Sequence, residues 1–138
     1  EHRWYLVAQD EKDGRVKNFG FDRITDLKIS DTTFKAVPCD IDKKYQHAFG
    51  VETYETAQKI VLSFTWQQGN YIKSFPLHSS QKVLNDTEEE LLIELYIHPT
   101  NDIIMELLKY SANVKVIEPQ SLIRIIKDRL LKSTNLYS

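Results

Sequence analysis

The sequence predicts an α+β chain in two parts, a small β-module at the front and a βαββαβ unit with a terminal helix behind it. Three observations carry that prediction. Residues 3–24 alternate at period two around an Asp13-Gly14 reversal, and residues 90–98 form a longer alternating apolar run. Beyond that run, apolar residues recur at helical spacing in residues 103–108 and 122–130. Period two marks a half-buried strand and a recurrence at i, i+3, i+4 marks an amphipathic helix. The expected division is residues 1–34, a connector with a short helix at 35–56, and a second domain at 57–138.

Composition narrows the class. The chain has 138 residues, 41% of them hydrophobic, and a formal net charge of −2. That is enough apolar content to fold, and no bulk basicity announces a duplex-DNA-binding domain. The lone Cys39 excludes an internal disulfide and leaves no thiol cluster for a metal. No apolar run reaches the ~20 residues that span a bilayer, so no membrane partner and a cytoplasmic location are expected. The chain opens directly at Glu1-His2-Arg3-Trp4 with no secretory signal, which reads as a fragment of a longer protein.

In order, residues 3–9 read as a strand with Trp4, Leu6 and Ala8 on one face and Tyr5 and Val7 on the other. Residues 10–15 supply the turn. The return strand is expected to carry Lys17, Phe19, Phe21 and Arg23 at period two, and residues 25–30 read as a short third strand. Trp4, Phe19 and Phe21 are expected to be sheet core. Tyr5, Lys17 and Arg23 are the candidate ligand-binding residues, because a phenol and two cations on one small sheet offer donors, charge and a π-face to a nucleic-acid strand or a nucleotide. A surface salt bridge of Arg23 with Asp22 or Asp26 is the competing reading.

Residues 31–42 form a loop ending at an N-cap near Asp40, followed by a helix with Ile41, Tyr45 and Phe49 at helical spacing, stopped by Gly50. Residues 59–65 are a strand with Ile60, Leu62 and Phe64 on one face, and residues 66–75 a short helix weakened by Gly69. Residues 80–84 are a brief strand and Asn85-Asp86 its turn. Asn101 is expected to cap the helix with the stripe Ile103, Ile104, Leu107 and Leu108, and residues 114–117 are the next strand. Pro119 opens a last helix with Leu122, Ile125, Ile126 and Leu130 inward and Arg124, Lys127, Arg129 and Lys132 outward. The order βαββαβ is the split-βαβ arrangement of ferredoxin-like domains.

Between helix and strand, His78, Ser80 and Gln81 make a polar loop that either caps the helix or faces a ligand. No nucleophile beside a base, no paired carboxylates and no metal spacing with a supporting context is present, and Glu88-Glu89-Glu90 reads as a solvated turn. No catalysis, metal or cofactor is therefore expected.

The hairpin residues Trp4-Tyr5-Leu6-Val7-Ala8 and Lys17-Asn18-Phe19-Gly20-Phe21-Asp22-Arg23-Ile24 resemble the WYL domain of bacterial transcriptional regulators. That pattern is a Trp-Tyr-Leu-Val-Ala strand, a turn, and an Arg-x-Phe-Arg-Leu-Asp-Arg-Ile strand. Lys17 replaces its first Arg and Gly20 its second. Residues 76–81, 107–110 and 114–119 resemble the C-terminal extension of the same family, with Ser79 in place of the Pro of its usual His-Pro-Ser-Gln. The resemblance implies a partial Sm/SH3-like β-module followed by the ferredoxin-like domain. It implies an effector-sensing and oligomerisation portion whose ligand, nucleic acid or a nucleotide, meets Tyr5, Lys17, Arg23, His78, Ser80 and Gln81. It also implies a homodimer that meets promoter DNA through an N-terminal domain absent from this chain. The alternative is a dimerisation module without its own ligand.

Overall fold

The structure is a computed structural model that describes residues 3–36 and 38–137. Two compact units divide at Asp40 and Ile41. The predicted opening at Glu1-His2 lies outside the described residues.

The first unit is built on strands β1 (Tyr5–Gln9) and β2 (Val16–Gly20), paired antiparallel. Local chemistry closes the turn between them. Asp10 Oδ1 accepts from the Lys12 N–H at 2.9 Å, Asp13 Oδ1 accepts from the Arg15 N–H at 3.0 Å, and Gly14 takes the left-handed φ of +69° that the reversal needs.

Three expectations fail in this unit. The return strand ends at Gly20, and Phe21–Arg23 winds into a 3-10 turn in which the Phe21 N–H donates to the Trp4 carbonyl at 3.0 Å. Period two therefore stops before Arg23. Residues 25–30 form no strand, because Asp26 adopts a φ of +53° that breaks the extension and no third ladder supplies backbone partners. Ile29 is fully exposed as a result. Trp4, Phe19 and Phe21 are exposed rather than core, Trp4 at 78%, since a two-stranded ribbon has no second layer to bury an aromatic face.

The second unit carries the core. Its sheet has the order β4-β5-β3-β6, all antiparallel, with β3 Gln58–Thr65, β4 Lys82–Asp86, β5 Glu90–Ile97 and β6 Val114–Glu118. Helix α2 (Trp66–Ser74) joins β3 to β4, and helix α3 (Asn101–Lys109) joins β5 to β6. Each helix thus connects two strands that have a third inserted between them, as the βαββαβ order implies. Ile60, Leu62 and Phe64 of β3 and Leu91, Ile93, Leu95 and Ile97 of β5 point to one side. There they meet Ile72 of α2, Ile103, Ile104 and Leu107 of α3, and Leu122 of α4 (Gln120–Asn135). Gly69 lets α2 close on β5, for a Cβ there would stand 2.7 Å from Leu91 Cβ.

Element ends differ from expectation in ways that side-chain packing explains. Helix α1 (Ile41–Tyr45) stops well before Gly50, where Ala48 is buried and Phe49 packs against the core of the second unit. Asn101 is the first helical residue and Thr100, fully buried, holds the cap position. Asn85-Asp86 lies in β4, and the reversal falls at Thr87–Glu89, where Thr87 Oγ1 accepts from the Glu89 and Glu90 N–H groups. On α4, Leu122 is buried and Ile123 and Ile126 pack against the core, while Ile125 and Leu130 stay largely exposed.

Candidate functional site

The register of the hairpin decides which candidates meet. Tyr5 stands opposite Gly20, Leu6 opposite Phe19, and Ala8 opposite Lys17. Directly opposed residues share a face and neighbours along a strand alternate, so Tyr5 and Lys17 lie on opposite faces.

Lys17 is committed to its own turn. Its Nζ stands 2.7 Å from Asp10 Oδ2 and 2.6 Å from Asp13 Oδ2. The bond to Asp10, then that to Asp13, raises the Lys17 pKa above its ordinary value, and the same ammonium lowers both carboxyls.

Arg23 is placed differently. The 3-10 turn folds it back so that its Cγ lies 4.0 Å from where a Cβ on Gly20 would be, on the face that Tyr5 occupies. Asp22 Oδ1 lies 2.7 Å from the same point. The space left open at Gly20 is therefore taken by Asp22 and the Arg23 stem, on the hairpin face of Tyr5, which is 37% exposed. Among the described residues Arg23 forms no ion pair, so the bridge to Asp22 or Asp26, the competing reading, is not made. Asp22 and Arg23 thus gather at Gly20, the residue paired with Tyr5, and this patch carries one exposed cation and one carboxylate.

The second candidate group sits in the other unit and is bonded inward. His78 Nδ1 lies 2.8 Å from Ser80 Oγ and accepts from the Ser80 N–H at 3.1 Å. Ser80 Oγ in turn accepts from the Tyr96 N–H at 2.9 Å. Gln81 Oε1 accepts from the Leu77 N–H at 2.9 Å and its amide donates to the Ile72 carbonyl at 3.2 Å. These three side chains hold the end of α2 to the start of β4 and to the neighbouring β5. The bonding at Nδ1 puts the proton of a neutral His78 on Nε2. Burial, then the nearby His47, lowers the His78 pKa against an opposing hydrogen bond with the Gln46 backbone.

Sequence reasoning missed the neighbours of this loop. His47 meets the Tyr96 ring edge-on at 4.9 Å and the His98 ring at 6.3 Å. Its Nδ1 is buried without a hydrogen-bond partner among the described residues, while His98 Nδ1 contacts the Glu55 carbonyl at 2.6 Å. Nothing local in the sequence links these histidines, since they are brought together by the path of residues 46–56 along the edge of the unit. Asp102 anchors that path, accepting from the Val51 and Glu52 N–H groups at 2.8 and 3.0 Å. No group of three or more His, Cys, Asp or Glu able to hold a metal occurs among the described residues, and no described helix is long and apolar enough to cross a membrane.

Comparison with known families gives two matches that together cover most of the chain. The WCX domain model matches residues 56–133 and the WYL domain model matches residues 1–29. No curated protein matches the chain.

Proposed function

Because the chain belongs to the family of WYL-domain proteins with a C-terminal WCX domain, we propose that it is the effector-sensing and assembly portion of a transcriptional regulator rather than an enzyme. WYL and WCX domains occur in regulators of the WYL family. In this reading the effector is a nucleic-acid strand or a nucleotide, and it binds on the Tyr5 face of the hairpin. The observation that carries it is the exposed Arg23 whose stem packs at Gly20, the residue without a side chain that is paired with Tyr5 across the hairpin. A guanidinium forks onto phosphate oxygens and a phenol ring offers a base a stacking surface. Lys17 supports the turn and comes to the ligand only by releasing Asp10 and Asp13. The His78, Ser80 and Gln81 loop serves as scaffold.

An effector works by binding one arrangement of the regulator better than another, since equal affinity for both shifts nothing. Titration of a short fluorescent single strand into the wild-type chain and Arg23→Ala tests the site. The variant is expected to bind about ten-fold or more weakly, as follows from losing a charged hydrogen bond of about 1.5–3 kcal/mol. The log–log salt slope should be shallow, about −0.7 for each phosphate neutralised. Equal affinity of the two proteins removes Arg23 from the account.

The exposed aromatic face of the hairpin, with Trp4 and Phe21 uncovered, favours assembly as a second reading. Concentration-dependent sedimentation that Trp4→Ser abolishes, together with no oligonucleotide binding, would place that reading first.

A further inference from the structure

The sheet of the second unit ends at β6, which pairs with β3 and with no other described strand. Helix α4 follows β6 and runs beside it. Between them lies an apolar groove of about 360 Å³, floored by Val116 and walled by Ile126, Leu130 and Leu131, with Lys115 and Lys127 at its rim. Leu131 is 55% exposed there. The groove has two open valences of different kinds: a strand edge whose outward backbone groups lack a ladder partner, and an apolar helix face that overhangs it.

We propose that this groove is a docking site for an extended segment of a partner protein in which apolar residues alternate with acidic ones, added as a fifth strand against β6. The backbone edge selects a strand, since added strands gain main-chain hydrogen bonds and place alternate side chains in pockets. The overhang of α4 selects apolar residues for the row on Val116's side of the sheet. Lys115 stands opposite Ser63, on the other face, where the second row emerges. Charge makes that row acidic. Lys59, also on that face, is held by Glu118, whereas Lys115 has no ion pair among the described residues.

The same charges disfavour a second copy as the occupant. A symmetric pair would bring α4 against itself with Arg124, Lys127, Arg129 and Lys132 on each side, and Asp128, its sole carboxylate, is already held. Every lining residue of the groove belongs to the second unit, so the proposal does not rest on a ligand of the hairpin.

A capped, fluorescent seven-residue peptide alternating valine and glutamate is the probe, with a valine–lysine peptide as control. The glutamate peptide is expected to bind about ten-fold more tightly than the lysine peptide, the scale of one modest ion pair made rather than opposed. The variant Lys115→Glu should reverse the preference, a gain that misfolding cannot produce. Leu131→Asp should weaken both peptides, and Arg23→Ala should change neither. Equal binding of the two peptides, binding of neither, or release of the peptide by dimerisation of the chain overturns the proposal.

Discussion

A single side chain decides what each face of the hairpin can do. The ammonium of Lys17 is neutralised by two carboxylates of its own turn, while Arg23, six residues on, is left to solvent. The Lys17 cluster has a definite pH signature. Asp10 and Asp13 titrate below their ordinary 3.8 when folded, so their contribution to the hairpin is present above that value and is lost as pH falls through the folded pKa. Lys17 titrates above its ordinary 10.5, so its contribution is present below that value and is lost as pH rises through the folded pKa. Amide shifts of residues 10–17 in an NMR titration are therefore expected to stay constant between these limits. Lys17→Ala should move the Asp10 and Asp13 titrations upward. Unchanged carboxyl titrations in that variant would show that the ammonium does not hold the turn.

At the scale of elements, two joints fix the second unit. The contact of α2 with β5 depends on Gly69. Replacing it by Ala gains up to about 1 kcal/mol of helix propensity, but the new Cβ would sit 2.7 Å from Leu91 Cβ, an atom close to the backbone that cannot swing aside. Overpacking of that kind costs about 1–3 kcal/mol. Gly69→Ala is thus expected to lower stability in urea denaturation, against the propensity scale, and a stabilised variant would refute the close approach. The loop that joins α2 to β4 gives a second expectation. The folded His78 pKa lies below its ordinary 6.5, so stability is full above 6.5 and declines as pH falls through the folded value. The melting temperature should fall between pH 7.5 and pH 5.5, and His78→Gln, which keeps a polar acceptor but does not titrate, should flatten that dependence.

At the scale of the molecule, the core is unequally distributed. The buried apolar residues all belong to the second unit, from Ala48 to Leu122, and the hairpin unit contributes none of them among the described residues. Residues 41–138 are accordingly expected to fold alone with a cooperative transition, because they keep every member of the core cluster and the Asp102 anchor of the connector. Scanning calorimetry of that fragment should give a melting temperature within a few degrees of the full chain. A non-cooperative transition would show that the hairpin supports the core.

The sequence by itself determined the elements whose signal is local. Alternation in residues 90–98 and 59–65, the helical stripes of Ile103, Ile104 and Leu107, and the Asp13-Gly14 reversal each depend on a few neighbouring side chains, and each appears where expected. Their order, and so the topology of the second sheet, follows from the same reading. Only the tertiary structure decided what depends on a partner distant along the chain. Leu27 and Ile29 alternate as a strand does, yet form none where no third strand closes the ladder. Hairpin register separated Tyr5 from Lys17, and a 3-10 turn set the Arg23 stem at Gly20, the partner of Tyr5, although period two placed both cations on one face. The meeting of His47, Tyr96 and His98 likewise arises from a connector held by Asp102. Periodicity reports which side of an element is apolar, but a site needs to know which element lies opposite, and that is settled by hydrogen-bond pairing and burial across the whole chain.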